Sequence, residues 1–326
     1  MLLVTGGAGF IGSNIVASLN EAGITDIAVN DILGTGPKWR NLAQRRLAEF
    51  VPAVDLLGWL EGRKLDAVVH MGAISSTTEA DVDLLMEHNF ILSLRLLEWC
   101  AQSRTPFIYA SSAATYGDGG SGFVDDWSSA GLARLKPLNP YGFSKHLFDQ
   151  AVIERVARKD KLPPQWAGLK FFNVFGPNEY HKGEMMSLVA KRFDDAKAGV
   201  PIALFKSHRD GIGDGEQKRD FIYVDDAVAV VRWLLEMPRV SGIFNVGTGR
   251  ARSFRDLMTA MFAALGMAPN IDYVDMPEAI RNSYQYFTQA DMSNLRRAGF
   301  AAEFMTLEEG VKTYVSRYLD RTDRFR

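Results

Sequence analysis

The stretch Val4-Thr5-Gly6-Gly7-Ala8-Gly9-Phe10-Ile11-Gly12 decides the fold of this 326-residue chain. It continues the apolar run Leu2-Leu3-Val4, so the pattern predicts a strand, a glycine turn and the start of a helix. Gly6 would allow the tight turn, Gly9 would let a pyrophosphate approach the backbone, and Gly12 would let helix and strand pack closely. The segment therefore predicts the entry of a nucleotide-binding βαβ unit.

The helix expected after this turn supplies an anion site. Its first residues, Phe10 and Ile11, carry backbone N–H groups without helical partners, and the helix dipole favours negative charge there. Asp31 follows a second apolar run, Ile27-Ala28-Val29, at the position from which an acidic side chain bonds an adenine-ribose hydroxyl. A glycine-rich turn without a ligand is the alternative, but the surrounding strand, helix and acidic residue favour nucleotide binding.

Composition bounds the class of protein. Hydrophobic residues make up 47% and charged residues 23% of the chain, and the formal net charge is −2. These values are ordinary for a globular protein, and without a basic excess we expect no nucleic-acid partner and no membrane partner. Cys100 is the sole cysteine, so no intramolecular disulfide can form, and no signal-peptide pattern is recognised. We therefore expect a cytoplasmic protein.

Short apolar strands alternate with amphipathic helices through the first half, which predicts an α/β fold with a Rossmann-type, doubly wound parallel sheet. We expect a dinucleotide-binding domain over residues 1–174 and a smaller, mainly substrate-binding α/β portion over residues 175–326, with some of its segments returning to the main sheet. The strands expected first are Leu2–Thr5, Ile27–Asn30, Ala67–His70, Phe107–Ala110 and Leu169–Val174, with helices over Ile11–Ala22, Val82–Ser103 and Tyr141–Arg158.

Tyr141 and Lys145 form the candidate reactive pair. They lie four residues apart on a helix whose start is indicated by Asn139 as N-cap and Pro140 in the first turn, so both side chains share a face. A neighbouring ammonium would lower the pKa of the phenol and make it a usable base near neutral pH. Ser112, after an apolar strand, would supply the hydroxyl that completes the set.

These motifs identify a family resemblance. The chain resembles the extended short-chain dehydrogenases/reductases, the family of nucleotide-sugar epimerases and dehydratases, and within it most of all the heptose 6-epimerases. The motifs most particular to that group are Ser75-Ser76-Thr77-Thr78-Glu79, His181-Lys182-Gly183 and Phe287-Thr288-Gln289-Ala290-Asp291. More widely shared are the glycine turn, Tyr109-Ala110-Ser111-Ser112-Ala113-Ala114-Thr115-Tyr116-Gly117, Asn173-Val174-Phe175-Gly176-Pro177 and Gly242-Ile243-Phe244-Asn245-Val246-Gly247-Thr248-Gly249-Arg250.

The resemblance implies a reaction and roles for four residues. A tightly held nicotinamide would take hydride from C6 of the heptose in ADP-D-glycero-β-D-manno-heptose and return it to the opposite face. Tyr141 would be one acid/base, Ser112 would bond the reacting oxygen, and Lys145 would tune Tyr141 and bind the nicotinamide ribose. Lys182 matches the second base of the family. Without the resemblance, Lys182 would be read as a solvated loop lysine.

Other activities on the same fold define the alternatives. In the related 4,6-dehydratases the strand-end hydroxyl precedes an Asp-Glu pair, whereas Ala113 and Ala114 stand here and cannot move protons. A UDP-hexose 4-epimerase or a related nucleotide-sugar reductase stays open as the second interpretation. A non-catalytic nicotinamide sensor is a third, although it would have no need to keep the full Ser112, Tyr141 and Lys145 set.

Substrate and cofactor contacts follow from the resemblance, residue by residue. Arg219 would bind the diphosphate through its planar fork, with a surface salt bridge as the alternative; Tyr284 would hold the sugar nucleotide, with a core tyrosine as the alternative. Phe205 would lie at the adenine side or in the core. The implied substrate-binding set is Ser112, Asn173, Lys182, Phe205, Arg219 and Tyr284, and the cofactor-binding set is Gly6, Gly9, Phe10, Ile11, Gly12, Asp31, Lys38, Ser75, Asn89, Tyr141 and Lys145.

The sequence contains features of both NAD binding and NADP binding. Asp31 favours NAD, but the family often uses NADP with lysines that pair the 2′-phosphate, and Lys38 keeps the first of these. The second is replaced by Ala53, for which Arg40, Arg45 or Arg46 could compensate. We expect NADP, with NAD possible. The resemblance also implies a homo-oligomer, with pentamers known in the family.

The remaining histidines and acidic residues are not predicted to belong to the site. His70, His146 and His208 show no paired spacing that indicates a metal, so no metal site is expected. Asp125-Asp126, next to serines, predicts a solvated turn. No contact is predicted within the glycine-rich loop Lys206–Gln217.

Overall fold

A parallel sheet of seven strands organises the molecule in the computed structural model, which describes residues 1–281 and 284–326. Its strand order is β10-β6-β5-β4-β1-β2-β3, and every neighbouring pair runs parallel. Two small sheets, β11-β9-β7 and β12-β8, lie outside it. In chain order the strands are β1 (Leu2–Thr5), β2 (Ile27–Asp31), β3 (Glu49–Pro52), β4 (Ala67–His70), β5 (Phe107–Ser112), β6 (Trp166–Phe171), β7 (Asn173–Phe175), β8 (Ile202–Phe205), β9 (Lys218–Tyr223), β10 (Gly242–Val246), β11 (Ala251–Ser253) and β12 (Ile271–Val274).

Helices connect the parallel strands, as right-handed crossovers between such strands require. The α-helices are α1 (Phe10–Glu21), α2 (Leu56–Leu60), α3 (Val82–Leu85), α4 (Leu92–Ser103), α5 (Ser129–Ala133), α6 (Pro140–Arg158), α7 (Leu188–Lys197), α8 (Val224–Glu236), α9 (Phe254–Ala264), α10 (Glu278–Arg281), α11 (Ser293–Arg297) and α12 (Leu307–Tyr314). A π-helical turn, Met86–Ile91, joins α3 to α4, and a second, Val315–Leu319, follows α12. Short 3-10 helices include Pro37–Leu42 and Tyr180–Met185. Among the described residues, no helix is both long and apolar enough to cross a membrane.

The sheet confirms the predicted doubly wound α/β class. From β1 the chain builds outward to β2 and β3 on one side, and then to β4, β5 and β6 on the other. The order therefore reverses between β1 and β4, and a crevice at the carboxyl ends of these strands is where such sheets bind ligands. The backbone N–H of Met71, just after β4, donates to the Thr5 carbonyl at 3.1 Å and closes the floor of this crevice.

Three details of the fold differ from the sequence expectations. The strand β3 was not expected, because Glu49–Pro52 is a short edge strand that exposes Phe50 and ends in proline. The strand expected over Leu169–Val174 is two strands, since Phe172 bonds the Val246 carbonyl and β7 then pairs with β9 in another sheet. The helix expected over Val82–Ser103 contains the π-helical turn.

The C-terminal part of the chain contributes to the main sheet as well. β10 pairs with β6 in register from Gly242–Ala167 to Val246–Phe171 and forms one edge of the sheet. The domain boundary at residue 174 stays a prediction.

Close backbone packing at the glycine turn sets the position of α1. Gly6 has a φ of +64°, and a Cβ placed there would lie 2.5 Å from the Gly72 nitrogen. A Cβ on Gly12 would lie 2.1 Å from the Gly6 carbonyl oxygen. These distances are far below normal contact, so only glycine lets the first turn of α1 approach the end of β1 this closely.

We predict that Gly12→Ala destabilises the protein by about 1–3 kcal/mol, because the new methyl group must push α1 away from the turn. It should also lose its retained nucleotide, since the helix N-terminus moves with it. Urea unfolding and the nucleotide content of the purified protein measure both effects. Gly58→Ala is the control: a Cβ at Gly58, in α2, meets nothing within 4 Å, and alanine in a helix should keep or raise stability. Equal stability of Gly12→Ala and wild type would contradict the packing argument.

Candidate active site

One cavity of about 800 Å³ collects most of the residues that the sequence predicted for the site. It opens at the carboxyl ends of β1, β2, β4 and β5 and extends to β7 and β8. From the predicted set it is lined by Gly6, Gly9, Phe10, Ile11, Gly12, Asp31, Lys38, Ser75, Ser112, Tyr141, Lys145, Asn173, Lys182, Phe205 and Tyr284. Two predicted residues, Asn89 and Arg219, stand behind its walls. Most of the residues predicted for the cofactor and for the substrate therefore share one cavity.

The glycine turn presents the N-terminus of α1 to this cavity. The N-cap residue, Gly9, has no side chain that could satisfy the first backbone N–H groups, and Phe10 and Ile11 line the cavity directly. Unpaired N–H groups at a helix N-terminus favour an anion. This end of the cavity therefore fits the pyrophosphate of a dinucleotide.

Asp31 and Lys38 form an ion pair at the rim of the nucleotide end. One Asp31 oxygen accepts from the Lys38 ammonium at 2.6 Å and from the Ile32 N–H at 2.7 Å. The other accepts from the Ala8 N–H at 2.8 Å, so both oxygens already have donors. Lys38 neutralises the carboxylate, and its side chain remains 22% exposed at the cavity.

The three arginines considered as replacements for the missing lysine do not line the cavity. Arg40 pairs with Asp323 at 3.3 Å, and its guanidinium lies 4.2 Å from the Phe325 ring centroid. Arg45 and Arg46 are likewise absent from the described cavity wall. Among the candidates raised from the sequence, Lys38 is thus the cation that faces the nucleotide end.

The predicted reactive set does meet in space. Asn139 caps α6 by accepting from the Gly142 N–H at 2.8 Å, as the sequence predicted. Tyr141, in the first turn of the helix, and Ser112, at the end of β5, both line the cavity. The expected lowering of the pKa of Tyr141 is wrong in this structure: burial of the phenol raises that pKa, and the nearby Ser112 side chain only partly opposes the rise.

Lys145 is bonded to the backbone, and its charge is not among the causes that shift the pKa of Tyr141. Its ammonium donates to the Ala110 carbonyl at 2.9 Å, and the residue is only 3% exposed. Burial lowers the pKa of Lys145 to about 8, against which the charge of Asp149 acts. With this pKa, Lys145 is still mostly protonated at neutral pH.

The loop that carries Lys182 folds against the nucleotide end. Residues Tyr180–Met185 form a 3-10 helix, and the Lys182 ammonium lies 5.3 Å from the Phe10 ring centroid. Burial lowers the pKa of Lys182, while the nearby Glu179 carboxylate raises it. The solvated-lysine alternative is therefore wrong, because this ammonium lies over the first residue of α1 in the cavity wall.

His181, the first residue of the His181-Lys182-Gly183 motif, lines the cavity, although the sequence predicted no role for it. Its Nδ1 lies 3.3 Å from the Asn41 amide nitrogen, so this nitrogen accepts and the ring is neutral. Burial and the charges of Lys38 and Lys182 lower the pKa of His181 to about 4. The motif thus contacts the segment that carries Lys38.

Tyr284 lines the end of the cavity formed by β8, and Arg219 packs against Tyr284 from behind the wall. The Arg219 guanidinium lies 5.3 Å from the Tyr284 ring centroid and donates to the Lys218 carbonyl at 2.9 Å. Arg219 is 8% exposed and pairs with no carboxylate among the described residues, so the surface-salt-bridge alternative is wrong. Phe205 packs edge-on against Tyr284, with ring centroids 6.2 Å apart. A buried guanidinium without a carboxylate partner is suited to an incoming anion.

Asn89 lies beneath the cavity rather than in it. Its amide is fully buried; it donates to the Ile74 carbonyl at 2.9 Å and to the Ser144 hydroxyl at 3.1 Å, and it accepts from the Ile74 N–H at 2.8 Å. These bonds fasten the segment after β4 to α6. Its predicted contribution to cofactor binding is at most through that segment.

Asp125 is buried rather than exposed to solvent. The expected solvated turn is wrong at this residue, which is 2% exposed and accepts from the Asn245 N–H at 2.8 Å and the Asn294 amide at 2.6 Å. Burial raises the pKa of Asp125 to about 6. Asp126 does stay at the surface, where it pairs with Arg134. Within the described part of the chain, no cluster of His, Cys, Asp and Glu could hold a metal ion.

Comparisons with known proteins place this site in a family. Residues 2–247, more than half of the chain, match the NAD dependent epimerase/dehydratase family. An ADP-L-glycero-D-manno-heptose-6-epimerase of Nitratidesulfovibrio vulgaris is 51% identical, and the match covers 100% of both chains.

Two solved structures extend the likeness to the fold. The ADP-L-glycero-D-manno-heptose-6-epimerase of Helicobacter pylori is 28% identical, with a TM-score of 0.81 over 97% of this chain and 95% of that one. A Thermus thermophilus UDP-glucose 4-epimerase in complex with NAD is 30% identical, with a TM-score of 0.76 over 96% and 97% of the two chains. The chain belongs to the NAD dependent epimerase/dehydratase family.

Proposed function

We propose that this enzyme inverts C6 of the heptose in ADP-D-glycero-β-D-manno-heptose, giving ADP-L-glycero-β-D-manno-heptose, a precursor of the lipopolysaccharide core. The observation that carries the proposal is the single cavity in which Tyr141, Lys145 and Ser112 meet the glycine turn and Lys182. The full-length relative named for this epimerisation supports the choice of substrate. Ala113 and Ala114, next to Ser112, argue against dehydration, because methyl groups cannot move protons.

The residues present fit a nicotinamide dinucleotide. The α1 N-terminus would hold its pyrophosphate, and Lys145 would lie near its ribose. When bound, the oxidised nicotinamide would supply the group that accepts the hydride and later returns it. We propose NADP as the form used, because Lys38 faces the cavity and neutralises Asp31, which removes the repulsion that a 2′-phosphate would otherwise meet.

Tyr141 and Ser112 handle the proton of one C6 epimer. Ser112, which lines the cavity together with Tyr141, would bond the C6 oxygen and bring it to the phenol. Tyr141 would take the hydroxyl proton during oxidation and return a proton during reduction. Once Tyr141 has taken that proton, its raised pKa holds the proton until the ketone is reduced.

Lys182 provides the second proton position. C6 is exocyclic, so rotation about C5–C6 exchanges the places of its oxygen and its CH₂OH group. The oxygen then leaves Tyr141, and an acid/base group is needed on the other side. The Lys182 ammonium, over Phe10 and with a pKa lowered by burial, is a group of the right kind in the same cavity.

Two broader expectations accompany this function. The family resemblance implies a homo-oligomer, with a pentamer as the expected form. A nucleotide-sugar substrate and a single buried thiol, Cys100, agree with action in the cytoplasm.

The function is tested by incubating the purified protein with ADP-D-glycero-β-D-manno-heptose without added cofactor. We expect near-stoichiometric NADP to be released on denaturation, because an epimerase restores its cofactor in each cycle. Proton NMR should show both C6 epimers at equilibrium, whereas UDP-glucose should be left unchanged. Turnover of UDP-glucose instead would support the 4-epimerase alternative, and a need for external oxidant would indicate a dehydrogenase. Release of NAD alone would overturn the NADP assignment.

We predict that Tyr141→Phe reduces epimerisation by roughly 10²–10⁴-fold, because it removes the proton-transfer oxygen but keeps the ring. Bound nucleotide should remain, since the glycine turn is unchanged. Turnover and nucleotide content are measured on the same preparation. Tyr273→Phe, in β12 and outside the cavity wall, is the matched control and should behave as wild type. Activity above about a tenth of wild type in Tyr141→Phe would remove Tyr141 from the acid/base role.

We predict that Lys182→Met blocks epimerisation in both directions while ADP-heptose binding stays within about tenfold of wild type. The variant should still reduce its cofactor with the epimer that presents its oxygen to Tyr141, because only the second proton position is lost. Cofactor absorbance after mixing with each C6 epimer separates the two steps. Lys197→Met, at a surface ion pair with Asp320, controls for loss of a lysine. Equal loss of reduction with both epimers, together with weaker binding, would leave Lys182 as a binding cation only.

A further inference from the structure

A fully buried ion pair lies directly behind the reactive set. The Lys170 ammonium, on β6, donates to an Asp149 carboxylate oxygen at 2.7 Å, and the two side chains are 1% and 0% exposed. Removing two charges from water costs several kcal/mol for each, and a well-packed apolar pair is often as stable. A buried pair at this place therefore calls for a reason other than stability.

The pair is bonded to both sides of Ser112. Asp149 accepts from the neighbouring Ser111 hydroxyl at 2.7 Å. Lys170 donates to the Thr115 hydroxyl at 2.7 Å, and Thr115 in turn donates to the Ser112 carbonyl at 2.8 Å. The ion pair thus bonds the end of β5 at two places. One is the Ser111 hydroxyl, and the other is the Ser112 carbonyl, which is reached through Thr115. Loss of either charge would loosen the segment that presents the Ser112 hydroxyl.

The pair also acts on Lys145 along α6. Tyr141, Lys145 and Asp149 follow one another at intervals of four residues, so they share one face of the helix. The Asp149 carboxylate opposes the effect of burial on the Lys145 ammonium. Lys170 is paired with the same carboxylate and partly neutralises its charge.

Other titratable groups near Lys145 leave this role to Asp149. His70, on β4, is fully buried, and its pKa is lowered to about 3, so it is neutral. Tyr109, on β5, donates its hydroxyl to Asp149, and burial raises the pKa of that phenol. His146, next to Lys145 on α6, also has a lowered pKa because of burial. Among the described residues, Asp149 supplies the carboxylate charge that acts on Lys145.

We propose that Asp149 and Lys170 are positioning residues for the reaction: together they hold the Ser112 strand end and set how firmly Lys145 keeps its proton beneath Tyr141. This inference rests on the proposed roles of Ser112, Tyr141 and Lys145. The two members of the pair have opposite effects on Lys145. Asp149 stabilises its ammonium, and Lys170 weakens that stabilisation.

The opposite signs give the test. Asp149→Asn removes the negative charge, so the titration midpoint of Lys145 should fall. Lys170→Gln removes the positive charge but keeps a hydrogen-bond donor, so the midpoint should rise; each shift should be on the order of one pH unit. The holoenzyme is labelled with ¹³Cε-lysine, and the Lys145 resonance is assigned as the one missing from Lys145→Arg. This NMR titration needs no substrate, so it gives a result even if the heptose epimerase assignment fails.

The pH profile of turnover provides the second readout. Where Lys145 must be protonated, the alkaline limb should move to lower pH in Asp149→Asn and to higher pH in Lys170→Gln. Arg155→Gln is the control. Arg155 lies on α6, like Asp149, and its surface ion pair with Glu98 of α4 is lost in the variant, so neither readout should shift. Should Asp149→Asn fail to fold, Lys170→Gln decides alone: a rise of the midpoint supports the proposal, and no change or a fall overturns it. Equal losses of activity in the two variants without opposite shifts would reduce the pair to a structural role.

Discussion

Backbone contact at the glycine turn is the constraint on which the rest of the site depends. Because Gly12 lies against the Gly6 carbonyl, α1 begins directly at the end of β1. The same helix then anchors the loop that carries Lys182. The Asn14 amide donates to the Pro177 carbonyl at 2.9 Å, and the Asn178 amide donates to the Ser13 hydroxyl at 3.0 Å. The nucleotide end of the cavity and the loop that carries Lys182 therefore both depend on the start of α1.

Burial of charge gives this cavity its chemical character. Lys145, Lys182 and Arg219 all have pKa values lowered by burial, while the pKa of Tyr141 is raised. Cations held in this way with few carboxylate partners favour a ligand that brings negative charge, as a dinucleotide and a sugar diphosphate both do. Burial makes both lysines easier to deprotonate than a lysine in water. In the proposed reaction, the same desolvated groups would serve substrate binding and proton transfer.

Sequence patterns predicted the features that depend on local backbone geometry. They failed for features that depend on contacts between segments distant in the chain. The glycine turn, the Asn139 cap and the spacing of Tyr141 and Lys145 each act within a few residues, so the sequence predicted them. The pKa direction of Tyr141 depends on burial by the whole cavity, and Asp125 is buried by Asn245 and Asn294, far away in the chain. The Asp149–Lys170 pair likewise joins α6 to β6. No spacing rule indicates such a contact.

The fate of the hydrogen on C6 tests the central claim most directly, which is that one cavity removes hydride and returns it to the same sugar. ADP-D-glycero-β-D-manno-heptose carrying deuterium at C6 is mixed with an equal amount of unlabelled substrate bearing a ¹³C label elsewhere in the sugar. After epimerisation in ordinary water, mass spectrometry of the product should find the deuterium retained and confined to molecules without ¹³C. Loss of deuterium to solvent, or its transfer to the ¹³C-labelled molecules, would contradict the account.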